Sequence, residues 1–174
     1  MSYEKAQETA EFIRSKYDKE IKIAVVLGSG LGAFADELEN AVTIPYEEIP
    51  NFSRSTVEGH AGKLILGEVE GVSVAVQQGR FHYYEGYSMQ QITFPIRILK
   101  LLGIERLFVS NASGSLNPAI KKGDLVCIED HINLLPDNPL RGSNLDHLGP
   151  RFPDMSSPYD QELISKALAI AAKI

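Results

Sequence analysis

Apolar residues recur at helical spacing near the start of the chain, at Tyr3, Ala6, Ala10, Ile13 and Tyr17, and predict an amphipathic opening helix. Ile21 to Leu27 is then a continuous, β-branched run, the pattern of a strand buried on both faces. Gly28 to Gly32 is a glycine-rich turn, and a short helix over Leu31 to Leu38 is expected after it. Lys63 to Val69 and Val72 to Gln77 flank Glu70-Gly71 and predict a β-hairpin. Ile92 to Leu102 has the pattern of a helix, with Gly103 as its stop. Arg106 to Val109 and Asp124 to Ile128 are each expected to be buried strands. From Leu134 to Pro158 the chain is rich in Pro, Asn, Asp and Gly, which predicts a long ordered loop, and such loops in compact domains are usually functional. Leu163, Ala167, Ile170 and Ile174 continue a helical face to the last residue, without a glycine or proline stop. Two readings fit that ending: a part of a longer protein, or a terminal helix that frays.

This alternation of strands and helices predicts an α/β fold. The length of 174 residues predicts one domain, large enough to bury a core without staples. With 44% hydrophobic and 23% charged residues, the composition is that of a soluble globular protein. A net charge of −6 argues against a general binder of nucleic acid or of a membrane surface, while leaving room for one local cationic pocket. The single cysteine, Cys127, rules out a disulfide within the chain and is expected as a buried small hydrophobe in Leu125-Val126-Cys127-Ile128. No apolar run is long enough to span a bilayer. The amino terminus reads as a polar helix rather than a signal peptide, so a cytoplasmic protein is expected.

Candidate chemistry concentrates in Gly79-Arg80-Phe81-His82-Tyr83-Tyr84-Glu85-Gly86-Tyr87. Arg80 offers a planar fork of donors that can grip an oxyanion. In an extended segment His82 points to the same side as Arg80, and Tyr84 continues that side with a flat face and a hydroxyl suited to a sugar. The alternative is a surface loop whose aromatics pack on the fold. The turn Gly28-Ser29-Gly30-Leu31-Gly32 follows a strand, presents backbone N–H groups to an anion and adds the Ser29 hydroxyl. Its glycine spacing fits neither a dinucleotide fingerprint nor a Walker A loop, which favours a small phosphate; a plain tight turn fits equally. Ser110-Asn111-Ala112-Ser113-Gly114-Ser115 also follows a strand, where ligands gather in parallel sheets, although turn chemistry alone would select the same residues. Asp130, His131 and Asn133 have no metal-ligand spacing and are expected as a buried polar cluster fixing loop geometry. His60, between Gly59 and Gly62, reads either as a mobile histidine that helps neutralise an anion or as an ordinary surface residue.

The segments VVLGSGLG, GHAGKLILG, QGRFHYYEGY, VSNASGSLNP, GDLVCIEDHINL, NPLRG and RFPDMS occur here in the order in which they stand in the trimeric purine nucleoside phosphorylases, and from about Ile23 to Tyr159 the chain resembles that family. The methylthioadenosine phosphorylases are a weaker match in the arginine–histidine segment. The resemblance implies a nucleoside phosphorylase-like α/β fold, a mixed central β-sheet flanked by helices, and reversible phosphorolysis of purine (deoxy)ribonucleosides, giving the free base and (deoxy)ribose 1-phosphate. It implies a pentosyltransferase with inorganic phosphate as co-substrate, no cofactor and no metal, working as a cytoplasmic homotrimer. The transition state of such a reaction resembles an oxocarbenium ion, so a held phosphate and hydrogen bonds at the leaving purine are needed.

Carried over by position, the resemblance implies that Ser29, His60, Arg80, His82 and the backbone N–H of Ala112 bind phosphate, with Arg80 and His82 the catalytic pair. Tyr84 matches a tyrosine that contacts ribose. Phe152 matches a phenylalanine that enters a neighbouring subunit's nucleoside pocket. Ser113 and Ser115 depart from the family's frequent Ala-Gly-Gly but stay small. Family members continue well past residue 174, and the resemblance places the glutamate and asparagine that recognise the purine, a further phosphate-binding serine and a ribose-side histidine in that later part. The chain is therefore expected to be a single α/β phosphorylase domain, incomplete relative to the family. By itself it is expected to hold phosphate without turnover, and a non-catalytic phosphate-binding fragment stands as the alternative to the enzyme.

Overall fold

The computed structural model describes residues 2–53 and 62–173. They belong to two compact units, residues 1–112 and residues 113–174.

In the first unit, α1 (Tyr3–Arg14) starts where the Ser2 side chain accepts a hydrogen bond from the Lys5 N–H. Its periodic residues Ala6, Ala10 and Ile13 are all buried. Five strands follow: β1 (Ile23–Leu27), β2 (Glu39–Pro45), β3 (Lys63–Val69), β4 (Val72–Gln78) and β5 (Arg106–Val109). They form one sheet in the order β2-β3-β4-β1-β5. β1 pairs in parallel with both β4 and β5, whereas the β2–β3 and β3–β4 pairs are antiparallel, so the sheet is mixed. The β3–β4 hairpin turns at Glu70 and Gly71, both with positive φ, as a two-residue hairpin loop requires. β2 opens on Glu-Asn-Ala, carries an irregularity between Glu39 and Val42, and pairs through Val42-Thr43-Ile44 with β3 at the edge of the sheet.

α2 (Met89–Leu102) begins three residues before its apolar pattern does, because Ser88 and Gln91 form a capping box. It ends at Gly103 in a left-handed conformation, as its sequence predicts. α1 and α2 pack on each other and on one face of the sheet, burying Ile13, Ala24, Leu64, Leu66, Ala75, Phe94 and Ile98 together. The opposite face carries Ile65, Val74 and Val76 against Ala35 and Phe34 of a single 3-10 helix, Gly32–Glu37. Alternation along β3 and β4 thus feeds two cores at once.

β5 departs from expectation: it pairs with β1 as an end strand of the sheet, and all four of its residues are exposed.

In the second unit, α3 (Gln161–Ala171) is capped by Asp160, whose carboxylate accepts the Leu163 N–H at 3.0 Å. Loops and turns make up the remainder, including the long loop foreseen over 134–158. Within it the Arg151 guanidinium donates to the carbonyls of Leu140, at 2.9 Å, and Gly142, at 2.6 Å. The strand expected over Asp124 to Ile128 is not formed. A β-branched run becomes a strand only against a hydrogen-bonding partner, and among the described residues none pairs with it. Cys127 is consequently exposed rather than buried. No helix among the described residues is long and apolar enough to cross a membrane.

Candidate functional site at the carboxyl edge of the parallel strands

β4, β1 and β5 are neighbours and parallel, so their carboxyl ends share one edge of the sheet. Three of the segments singled out in the sequence leave from that edge: the glycine turn after β1, Gly79-Arg80 after β4, and Ser110-Asn111-Ala112 after β5. This is where an open α/β sheet gathers ligands.

Hydrogen bonds join the three. The Ser110 N–H continues the β1–β5 ladder by donating to the Val26 carbonyl at 3.0 Å. The Ser110 hydroxyl accepts the Gly28 N–H at 2.8 Å and lies 3.2 Å from the Val26 carbonyl, to which it donates. The Ser110 carbonyl in turn accepts a hydrogen bond from Arg80 Nη1 at 3.1 Å. On the other side of β1, the Gln78 side-chain amide donates to the Gly32 carbonyl at 3.3 Å. The glycine turn is thereby held at both ends by the strands that flank it.

Glycine is required at two positions of the bend for different reasons. A Cβ on Gly28 would stand 2.7 Å from the Ser110 carbonyl oxygen and 2.8 Å from Asn111 Cα, so the two backbones could not meet there with any side chain between them. Gly30 has φ +88°, which lets the Leu31 N–H close the turn on the Gly28 carbonyl at 3.2 Å. Ser29, at the tip, is exposed, as is Ala112.

Arg80, Phe81 and His82 alternate half-buried, buried and half-buried. Phe81 anchors the segment in an aromatic cluster, with ring centroids 5.5 Å from Tyr46 and 5.1 Å from Tyr87. Beyond His82 the chain is not extended, as the sequence pattern had suggested, but turns through a 3-10 helix, Tyr83–Glu85. The turn returns Tyr84 to His82 all the same: the rings stack, with centroids 4.8 Å apart and an angle of 17° between their planes. Tyr84 is 83% exposed, leaving its other face and its hydroxyl open.

Glu85 is the residue that sequence reasoning missed. Its carboxylate accepts the His82 backbone N–H at 3.1 Å and pairs with His82 Nδ1. The signal was present in the spacing, since a carboxylate three residues after the residue that precedes a helical turn is the capping-box arrangement. With Nδ1 given to Glu85, Nε2 of His82 remains for a ligand.

His60 lies outside the described residues. Phe152 belongs to the second unit, where it is 87% exposed. His131, also in the second unit, is exposed rather than buried; its ring pairs with the Tyr159 hydroxyl, and its backbone N–H donates to the Asp130 carboxylate at 2.8 Å. The strand expected to bury it does not form, so this cluster organises a surface loop. Among the described residues, no group of three or more His, Cys, Asp or Glu side chains is placed to hold a metal ion.

The family model of the phosphorylase superfamily matches residues 22–174. Purine nucleoside phosphorylase 1 of Bacillus subtilis is 54% identical over 168 residues, 97% of this chain and 62% of the relative. The purine nucleoside phosphorylase of Bos taurus is 48% identical, over 95% of this chain and 58% of its own length. Isoform 2 of the Schistosoma mansoni enzyme, solved with cytosine and ribose-1-phosphate, superposes with a TM-score of 0.93 at 46% identity, covering 99% of this chain and 61% of that one. A Schistosoma mansoni purine nucleoside phosphorylase solved with adenosine gives the same TM-score, 0.93, at 43% identity. The chain spans about three fifths of the length of the curated relatives it matches. By the extent of the family match and by its fold, the chain belongs to the phosphorylase superfamily.

Proposed function

We propose that this chain supplies the phosphate-holding part of a purine nucleoside phosphorylase, a pentosyltransferase that reversibly converts purine (deoxy)ribonucleosides and phosphate to the free base and (deoxy)ribose 1-phosphate. The observation that carries the reading is the convergence of the Ser29 turn, Arg80 and the Ser110–Ala112 segment on one edge of the sheet. It is supported by the purine nucleoside phosphorylases among the relatives and by the ribose-1-phosphate in one similar structure.

In this reading inorganic phosphate lies against the turn. It takes hydrogen bonds from Ser29, from the Ala112 N–H and from His60, and a charge-assisted bond from the donors of Arg80 that Ser110 does not use. His82, held by Glu85, donates through Nε2. The ribose packs on Tyr84. As the bond from C1′ to the purine breaks, positive charge grows on the sugar and the phosphate oxygen closes on C1′ from below. Holding that oxygen in line is the contribution of these residues to catalysis. The protein is read as a single α/β phosphorylase domain, incomplete relative to the family, that works in the cytoplasm as a homotrimer. Phe152 then completes a neighbouring subunit's nucleoside pocket. Phosphate is a co-substrate, and neither cofactor nor metal takes part.

The test is incubation of the full-length protein with inosine or guanosine and phosphate, with chromatography for the free base. Release of base that depends on phosphate is the expected result; no release from any purine nucleoside overturns the reading. A second reading, a chain that binds phosphate and turns nothing over, is favoured by the share of the relatives that the sequence spans. A verified 174-residue species that performs phosphorolysis would exclude it.

A further inference from the structure

We propose that Ser110 and Gln78 are positioning residues: they clasp the glycine turn from the two strands beside it and so fix both the shape of the anion seat and the aim of Arg80. This inference rests on the phosphate reading above and adds residues that touch neither phosphate nor nucleoside.

Ser110 acts through each of its polar groups. Its hydroxyl holds the first N–H of the turn, at Gly28, and is itself oriented by the Val26 carbonyl. Its carbonyl occupies one donor of Arg80. A single residue therefore sets the spacing between the turn and the guanidinium. Removing the hydroxyl leaves the Val26 carbonyl with a partner, the Ser110 N–H, but takes the partner from the Gly28 N–H. That N–H then turns toward other acceptors, and the seat loses its shape while the sheet keeps its ladder. Gln78 does the same at the far end: its amide is on the Gly32 carbonyl, and a Cβ on Gly32 would already come within 3.2 Å of the amide nitrogen. The clasp comes from β4 and β5 jointly, which explains why the turn needs no side-chain bond of its own to stay open.

The experiment is a phosphate titration of the whole 174-residue chain, followed through the backbone amides by NMR. Ser110→Ala is expected to weaken phosphate binding by about tenfold and to shift the amides of residues 28–32 before any ligand is added, the loss of one buried bond converted to affinity. Ser110→Thr, which keeps the hydroxyl, is expected to restore binding to within about twofold, a rescue that a packing role would not produce. Gln78→Met is expected to weaken binding by about threefold. Phe94→Leu, deep in the core and away from the turn, lowers the thermal midpoint and leaves the phosphate affinity unchanged.

A folded Ser110→Ala chain with normal affinity, or a Thr variant that fails to restore it, overturns the clasp while the phosphate reading stands. If Ser110→Ala does not fold, Gln78→Met decides, and normal affinity there overturns the proposal. If the unmodified chain and Phe94→Leu both bind no phosphate, the phosphate reading itself falls and takes the clasp with it.

Discussion

Val25-Val26-Leu27 in β1 and Leu125-Val126 near the start of the second unit sit in apolar runs of similar character, each bordered by polar or glycine residues. The first is covered: Val26 and Leu27 are 2% and 5% exposed, with parallel partners on both sides. The second is bare, with Leu125 and Val126 91% and 57% exposed and no strand pairing among the described residues. Leu116, Ile132, Leu134 and Phe152 share that exposure. The difference lies in the partners rather than in the residues. An apolar run specifies burial, but only a neighbour that accepts its hydrogen bonds and covers its faces turns it into structure. The two units therefore resemble each other in hydrophobic content and differ in how much of it stabilises the fold.

The largest expected effect tests that contrast directly. Phe94, in α2, is 2% exposed and packs at 5.9 Å, edge to face, on Phe52. Phe94→Ala is expected to cost about 3–5 kcal/mol in urea denaturation, because the cavity it leaves adds to the lost burial. Leu125→Ala, at a residue that buries almost nothing, is expected to change stability by no more than about 0.5 kcal/mol. Equal losses at the two positions would mean that the second unit carries a core of its own.

Next in size is a functional separation of the units. Arg80→Ala removes the charge-assisted donor at the carboxyl edge and is expected to weaken phosphate binding by about 1.5–3 kcal/mol, tenfold or more, with little change in the urea midpoint. Phe152→Ala, in the second unit, is expected to leave the phosphate affinity alone and to raise only the KM for nucleoside in the full-length protein. Steady-state kinetics with each substrate varied in turn would show the split. An unchanged phosphate dependence in Arg80→Ala would refute the role given to that residue.

The same contrast decides how much was legible in the sequence. Where signal and partner are both local, the pattern was enough: Glu70-Gly71 names its own hairpin, and Gly103 its own helix end. α1 begins at Tyr3, the first residue of its apolar series. β2 was missed because its β-branched run, Val42-Thr43-Ile44, is short and stands behind Glu-Asn-Ala, although Ile44 is buried once β3 pairs with it. The strand over Asp124 to Ile128 was over-read for the opposite reason, since its residues ask for a partner that the described chain does not provide. At the site, Arg80, His82 and Ser29 stood out by residue type. Ser110, Gln78 and Glu85 did not: a serine, a glutamine and a glutamate are ordinary residues until the fold places them on Gly28, Gly32 and His82.

The smallest effect concerns how the helix-covered core of the first unit is tied to the carboxyl edge of its sheet, and it is readable as a pH dependence. Tyr46 is 4% exposed, and its hydroxyl donates to the Gly79 carbonyl at 2.8 Å, one residue before Arg80. Burial pushes the phenol well above its ordinary value of 10.0. The folded chain therefore keeps the proton after the unfolded chain has lost it. Stability from this group is complete below about pH 10 and falls as pH rises from there toward the folded value, because the unfolded state binds fewer protons in that window. Tyr46→Phe keeps the ring, whose edge meets Phe52 with centroids 5.3 Å apart, and removes the bond. It is expected to cost about 1 kcal/mol at neutral pH and to flatten the decline above pH 10, so the variant and the parent converge in alkali. Thermal midpoints measured from pH 7 to 11 would show the two curves closing. Parallel curves would mean that Tyr46 is open to solvent and that the Gly79 carbonyl is held by something else.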